Sequence, residues 1–297
     1  MESKTYQGSG WPSFAYHESV MVREALEALH LKNQANYIDA TLGTGGHTLE
    51  IARLGGRVLG IEADPKMLEI AKRRLEEEKL KNFKLELGNF ISIETLARKN
   101  NFIDISGILF DLGVSNLHLT SDIRGFSFNN PDDPLDMRLD TSTQGVSASD
   151  LLNVLREDQL ISLFSTTMDD GGAVRWVTGR VIEKRETKKF EKVSDLLEVC
   201  RDLRGKTGIN SATLPFLALR IAVNSELDNL GDVLPKAFDL IRPGGSLVVI
   251  SFHSGEDKIV KDFYKQYGGG ELVFPSEAEI NSNPRSRSAR LRVLQKN

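Results

Sequence analysis

Three glycines within four positions, Gly43, Gly45 and Gly46, follow directly on an apolar run that ends in a carboxylate, Tyr37-Ile38-Asp39. Glycine takes positive φ without a Cβ clash and lets a ligand approach the backbone closely. A strand, a glycine loop and a helix open the nucleotide-type sites of α/β sheets, although a turn that needs glycine for conformation alone reads the same way. The next apolar run, Arg57-Val58-Leu59-Gly60-Ile61, stops at Glu62. An acid about 20 residues past the glycine turn, at the tip of a second strand, is placed to accept hydrogen bonds from ribose hydroxyls. Asp64-Pro65 is itself a helix start, with proline at the first helical position. Asp64 is therefore assigned to capping and Glu62 to ribose. The loop lacks the Gly-x-Gly-x-x-Gly order that suits a pyrophosphate and the Gly-Lys-Ser/Thr that suits a triphosphate. Gly-x-Gly-Gly behind an aspartate suits a phosphate-free adenosine ligand such as S-adenosylmethionine, with its amino-acid end against Gly45 and Gly46.

The elements needed to hold these residues are legible on either side. Apolar spacing gives helices over 18–31 and 66–80, a strand over Phe83–Leu87 ending at Gly88-Asn89-Phe90, and a short helix over 91–99. Phe90 either contacts the adenine or belongs to the core. Ile105–Asp111 is a buried strand that again ends in a carboxylate. Four strands alternating with helices predict a mostly parallel sheet with right-handed crossovers, whose ligands lie at the carboxyl ends of the strands. The pattern then changes. Residues 117–140 read as a long ordered loop rich in Asp, Pro, Asn and Arg, followed by helices over 149–164, 173–185 and 194–203 with no strand between them. A helical stretch over 213–241, broken at Pro235, leads into a last buried strand over 246–251. The division expected is a polar, flexible 1–15, a sheet domain of 16–117 and 212–297, and an inserted, mostly helical domain of 118–211.

At 297 residues, with 40% hydrophobic and 27% charged residues, the composition is that of a globular protein with a full core. No apolar run reaches the length of a membrane span. A lone Cys200 rules out an internal disulfide and fits a reducing, cytoplasmic setting. No Cys/His cluster has metal-ligand spacing, so no metal is expected. Lys+Arg 38 against Asp+Glu 42 gives a net charge of −4, which weighs mildly against a nucleic-acid partner until the distribution of charge is considered.

Several stretches together resemble the ribosomal RNA small subunit methyltransferase H family. They are His17 with the helix after it, Ala40-Thr41-Leu42-Gly43-x-Gly45-Gly46-His47, 107–115 (GILFDLGVS), 124–128 (RGFSF), 133–140 (DPLDMRLD), 218–227 (ALRIAVNSEL), 249–254 (VISFHS) and 284–292 (PRSRSAxLR). The similarity covers nearly the whole chain after residue 15. It implies a class I S-adenosylmethionine-dependent methyltransferase, Rossmann-like, with an inserted helical domain. It also implies methylation of the N4 amine of a cytidine in the decoding region of 16S rRNA, within the small ribosomal subunit. The donor contacts implied are Gly45, Gly46, His47, Glu62, Phe90, Asp111 and His118. Glu62 stands where the family usually has an aspartate, and His118 where it has a glutamine. In the insertion, Asp169-Asp170-Gly171 replaces Gly-Glu-Glu, and Leu214 and Leu217 replace an Arg and a Gln.

Methyl transfer from a sulfonium is an in-line displacement that depends on holding the acceptor nitrogen close to the methyl carbon. The N4 lone pair of cytosine is delocalised into the ring, and acceptors that bind its N–H bonds free that pair. Asp111 is the candidate catalytic acceptor; a helix cap is its bland alternative. Phe126 or Phe128 would stack on an extruded base, or else pack the loop core. His253 either lines the acceptor pocket or is structural. Arg124, Arg138 and the C-terminal Arg285, Arg287, Arg290 and Arg292 could meet phosphates, as could Arg175, Arg180 and Lys184–Lys189 unless these form a solvated helix face. A reading from another class is a catalytically degenerate fold acting as a small-subunit assembly factor; the departures at Glu62 and His118 permit it.

Overall fold

A computed structural model describes residues 19–120, 123–203 and 210–297. The expected flexible segment 1–15 and His17 lie outside the described residues. The chain divides into two compact units. The first takes the described residues up to Ser115 together with Val233–His253 and Val260–Asn297; the second takes Asn116–Asp232 and Ser254–Ile259.

The first unit begins with α1 (Val22–Ala28), β1 (Asn36–Asp39), α2 (Gly46–Arg53), β2 (Arg57–Glu62), α3 (Pro65–Glu77), β3 (Phe83–Leu87), α4 (Ile93–Lys99) and β4 (Ile105–Asp111). The second unit supplies α5 (Asn116–Thr120), α6 (Ala148–Val154), α7 (Glu157–Ser165), α8 (Gly171–Thr187), α9 (Val193–Cys200) and α10 (Thr213–Asn224). Then come α11 (Glu226–Leu240), β5 (Ile241–Ser251), α12 (Ser254–Lys265), β6 (Glu271–Val273), α13 (Glu277–Ser282) and β7 (Arg290–Gln295). The sheet has seven strands in the order β3-β2-β1-β4-β5-β7-β6. β1 to β5 pair in parallel, and β7 runs antiparallel to both β5 and β6. The fold is thus the α/β class the alternation predicts. The order reverses between β1, which feeds β2 on one side, and β4 on the other, and a ligand crevice belongs at such a switch point.

The sheet is buried because both its faces are covered. Tyr37, Val58, Leu109, Val248, Ile250 and Leu291 pack with Ala25 of α1, with Leu29 at its C-cap and with Ile51 and Ala52 of α2. Tyr37 is fully buried yet satisfied, its hydroxyl accepting the Lys32 N–H at 2.8 Å.

In the second unit, α10 packs on α6 and α7, which carries the unit past residue 211, where alternation alone places the boundary. The single helix expected over 149–164 is two. Leu155 is extended at φ −63°, ψ 139°, and ends α6 before α7 starts at Glu157. The expected break at Pro235 is corrected likewise: α11 runs through Pro235, and the chain turns at Ser225, which is left-handed with φ 50°. The reason is Asn224. Its amide donates to the Met137 and Arg220 carbonyls, both at 2.9 Å, and its oxygen accepts from Leu139 N and Gln144 Nε2. These bonds fix the end of α10 against the 133–140 loop. Among the described residues no helix is long and apolar enough to cross a membrane.

Candidate active site

The β1 tip carries the loop. Asp39 is buried; it accepts from Thr48 Oγ1 at 2.7 Å and from Thr41 N at 3.3 Å. The backbone then alternates between its neighbours, Ala40 N donating to Leu109 O on β4 and Leu42 N to Ile61 O on β2. Gly43 and Gly45 both have positive φ, 52° and 80°. Gly45 is the N-cap of α2, and a Cβ there would lie 3.2 Å from Ala71 Cβ. A Cβ on Gly46 would collide with Ser19 Oγ. The loop therefore needs glycine for conformation at 43 and 45 and for space at 46.

Glu62 ends β2 and clasps this loop. One carboxylate oxygen accepts from Gly43 N at 2.7 Å and the other from Asp64 N at 2.8 Å. The residue is only 8% exposed. Burial raises its pKa to about 7, against the lowering effect of those two N–H bonds. Asp64 caps α3 by accepting from Lys66 N at 2.8 Å. Asn89 caps the short turn after β3, accepting from Ile91 N. Phe90 opens that turn with its ring edge-on to Phe110, centroids 5.6 Å apart, and Gly88 N donates to Glu62 O at 2.7 Å, which joins the tips of β2 and β3.

Asp111 ends β4. Its N–H donates to Thr41 Oγ1 at 2.6 Å, tying the tips of β1 and β4 together. Its carboxylate, 21% exposed, has Oδ2 3.3 Å from His47 Nε2 in the first turn of α2. That contact is too poorly aligned to count as a hydrogen bond; His47 Nδ1 and Asp111 Oδ1 are buried without a hydrogen-bond partner among the described residues. Burial disfavours the imidazolium, but Asp111 and Asp39 outweigh it and hold the His47 pKa above its ordinary value. Asp39 in turn is raised by burial, with His47 and Thr48 opposing. Asp111 pairs in register with Ile250, and Leu112 N donates to Ile250 O, so Phe252 and His253 follow β5 at the same rim. Gly45, Gly46, His47, Glu62, Phe90, Asp111 and His253 are thereby brought to one sheet edge of the first unit.

The remaining candidates belong to the second unit. His118, on α5, is buried with its ring 5.0 Å from that of Phe126. Phe126 is 6% exposed and has the Arg124 guanidinium over its ring, 5.3 Å from the centroid, so it packs in the loop core. Phe128 is partly exposed and meets Phe216 edge-on. Arg124 and Arg138, expected to meet phosphates, are both bound within the loop. Arg124 Nη1 donates to the carbonyls of Arg138 and Leu139, and Met137 N returns a bond to Arg124 O. Arg138 forks onto Asp136 through Nε and Nη2, both at 2.7 Å, and gives Nη1 to Gln144 O. Both guanidiniums build the loop. On α8 and α9, Lys184 pairs with Glu198 and Lys188 with Asp195. Asp195 falls to about 2 although burial opposes it, because Lys188 and the N–H groups of Lys192 and Glu191 bind the carboxylate. Asp170, one of the departures in the insertion, caps α8 by accepting from Gly172 N and Ala173 N.

Sequence reasoning placed Asp39 and Thr41 beside the ligand loop but gave neither a contact of its own, although both join the cluster. The available signal was a strand-end acid and hydroxyl next to a glycine loop.

A model of the MraW methylase family matches residues 14–273. A ribosomal RNA small subunit methyltransferase H of Dictyoglomus thermophilum is 38% identical, covering 93% of this chain and 95% of its own. The protein of that name from Methylacidiphilum infernorum is 39% identical, with 94% of each chain covered. Among solved structures, an rRNA methylase from Streptococcus thermophilus overlaps with a TM-score of 0.45 at 12% identity, over 93% of this chain and 95% of its own.

Proposed function

Since the chain belongs to the MraW methylase family, we propose that it methylates small-subunit ribosomal RNA with S-adenosylmethionine, in the cytoplasm, and that its target is the N4 amine of a cytidine in the decoding region of 16S rRNA. The observation that carries this is Asp111, a strand-tip carboxylate tied to the glycine loop through Thr41 and 21% exposed at the sheet edge.

The residues fit the donor. The glycine loop takes the positive φ at Gly43 and Gly45 that lets its backbone turn at the strand tip, and Glu62 presents a buried carboxylate whose two oxygens each accept one backbone N–H and retain a lone pair for a ribose hydroxyl. S-Adenosylmethionine supplies a methyl group on a cationic sulfur, so no metal is required for transfer. The chain's part is orientation. Asp111 accepts from the target amine, which frees the nitrogen lone pair for attack and balances the positive charge that develops there. Thr41 holds the Asp111 backbone in place, and Phe90 walls the site beside Glu62. Phe128, partly exposed in the second unit, remains the aromatic candidate for holding the flipped base.

The test is radiolabelled methyl transfer to small subunits purified from cells lacking this protein, with the modified nucleoside identified by mass spectrometry. N4-methylcytidine is expected; label on another base, or on another atom of cytidine, would refute the target. Calorimetry with S-adenosylmethionine separates the enzyme from an assembly factor, which would bind none.

A further inference from the structure

Arg124 and Arg138 direct their donors at carbonyls and at Asp136. Two arginines near the C-terminus do not. Pro284–Ser288 forms a short 3₁₀ turn between α13 and β7. It is anchored from inside. Ser286 is fully buried, its hydroxyl donating to the Asn283 carbonyl at 2.8 Å and its N–H to the same oxygen at 2.9 Å. Ala289 N donates to Ser286 O at 2.8 Å, and Asn283 N to Glu279 O at 2.7 Å, which ties the turn to α13. With Ser286 facing inwards, Arg285 and Arg287 on either side of it are exposed. Among the described residues no hydrogen bond or ion pair takes up either guanidinium. Glu279 lies close in sequence, but its carboxylate accepts from Met21 N and Asn283 Nδ2.

The register of the sheet puts this turn beside the candidate site. β7 is antiparallel to β5 and so begins where β5 ends. Arg290 pairs with Ser251, and Leu291 with Ile250, which pairs on its other side with Asp111. Asp111 and Leu291 are two strand spacings apart, about 10 Å, and the turn enters β7 at the rim that carries Asp111. That separation is comparable with the reach of one nucleotide from the edge of its base to its phosphate. A guanidinium fork matches phosphate oxygens in shape and charge. The whole chain carries a net charge of −4, so RNA has to be gripped by a local cation cluster rather than by the overall field. We propose that Arg285 and Arg287 clamp the phosphate backbone of the RNA strand that carries the target nucleotide, binding substrate without entering the chemical step. This rests on the methyltransferase assignment above.

The test is steady-state methyl transfer to small subunits over a series of salt concentrations. The wild type is compared with the double variant Arg285→Gln/Arg287→Gln and with a control, Arg57→Gln/Arg98→Gln. The control removes the same charge from the opposite end of the sheet, where β2 begins and α4 ends. In the turn variant KM for the subunit should rise about tenfold, with kcat and calorimetric donor affinity held. The slope of log kcat/KM against log salt should flatten by about 1.5. An unchanged KM, a raised KM with the wild-type slope, or an equal shift in the control overturns the proposal. A second measurement identifies the partner. Ser288 is exposed and Cys200 is buried, so Ser288→Cys can carry a photo-crosslinker at the turn. Attachment to 16S rRNA is expected; attachment to a ribosomal protein alone overturns the proposal and leaves the methyltransferase assignment standing. A wild-type chain that neither binds donor nor transfers methyl overturns both.

Discussion

Glu62 and Asp111 are two strand-tip acids with opposite circumstances. Glu62 is enclosed and bound by two backbone N–H groups, and burial still holds its pKa near 7. Asp111 keeps an oxygen without a hydrogen-bond partner among the described residues. Replacing Asp111 with alanine should cut methyl transfer by about 10²–10⁴-fold while circular dichroism shows the fold retained; wild-type turnover would remove Asp111 from the chemistry. For Glu62 the sign follows from linkage. Its folded pKa lies above its unfolded value near 4.5, so its contribution to stability is fully present below pH 4.5 and is lost as pH rises through about 7. Relative to wild type, Glu62→Gln should gain stability by up to about 3 kcal/mol between pH 4.5 and pH 8, read by denaturant unfolding at each pH, and should lose donor affinity throughout. At this scale the sequence told residue types but not commitments. Arg124 and Arg138 look like phosphate ligands in a basic, irregular stretch; only the folded loop shows carbonyls and Asp136 taking their donors.

Elements with a strong period were legible. β3 and β4 match their sequence-derived bounds because alternation and an unbroken apolar run each have sharp ends. The glycine loop was legible for the same reason its chemistry is narrow: φ of +80° at Gly45 excludes most side chains. Gly45→Ala should cost about 1–2 kcal/mol and weaken donor binding, measurable together by thermal melts with and without S-adenosylmethionine. What failed were breaks set by tertiary contacts. Pro235 is the residue that propensity marks as a stop, yet the chain turns at Ser225, where Asn224 is bound to the 133–140 loop. Asn224→Ala removes four hydrogen bonds and leaves the Leu139 N–H without its acceptor. A loss of about 2–4 kcal/mol is expected in denaturant unfolding; a change under about 0.5 kcal/mol, the range of an ordinary surface substitution, would show that the loop is held by other means.

Across the whole molecule, the fold class was plain from strand–helix alternation, whereas the closing edge of the sheet was hidden. β7 reads in sequence as part of an arginine-rich tail, because Arg290 and Arg292 draw attention away from Leu291 and Leu294, which are buried. The division into units also exceeded the sequence boundary, since α10 is apolar and periodic in either setting and only its packing on α6 and α7 assigns it.

The strand order has a consequence for synthesis. β7 sits between β5 and β6 and pairs with both. A ribosome making this chain releases β1 to β5 well before residues 290–295 exist. Until then β5 has an open flank, and the strand next to the candidate site has nothing to lean on. Nascent chains arrested before residue 290 should stay sensitive to protease across the first unit, and chains extended past residue 297 by a linker long enough to clear the exit tunnel should become resistant. Early resistance would mean that the five parallel strands stand without their antiparallel neighbour.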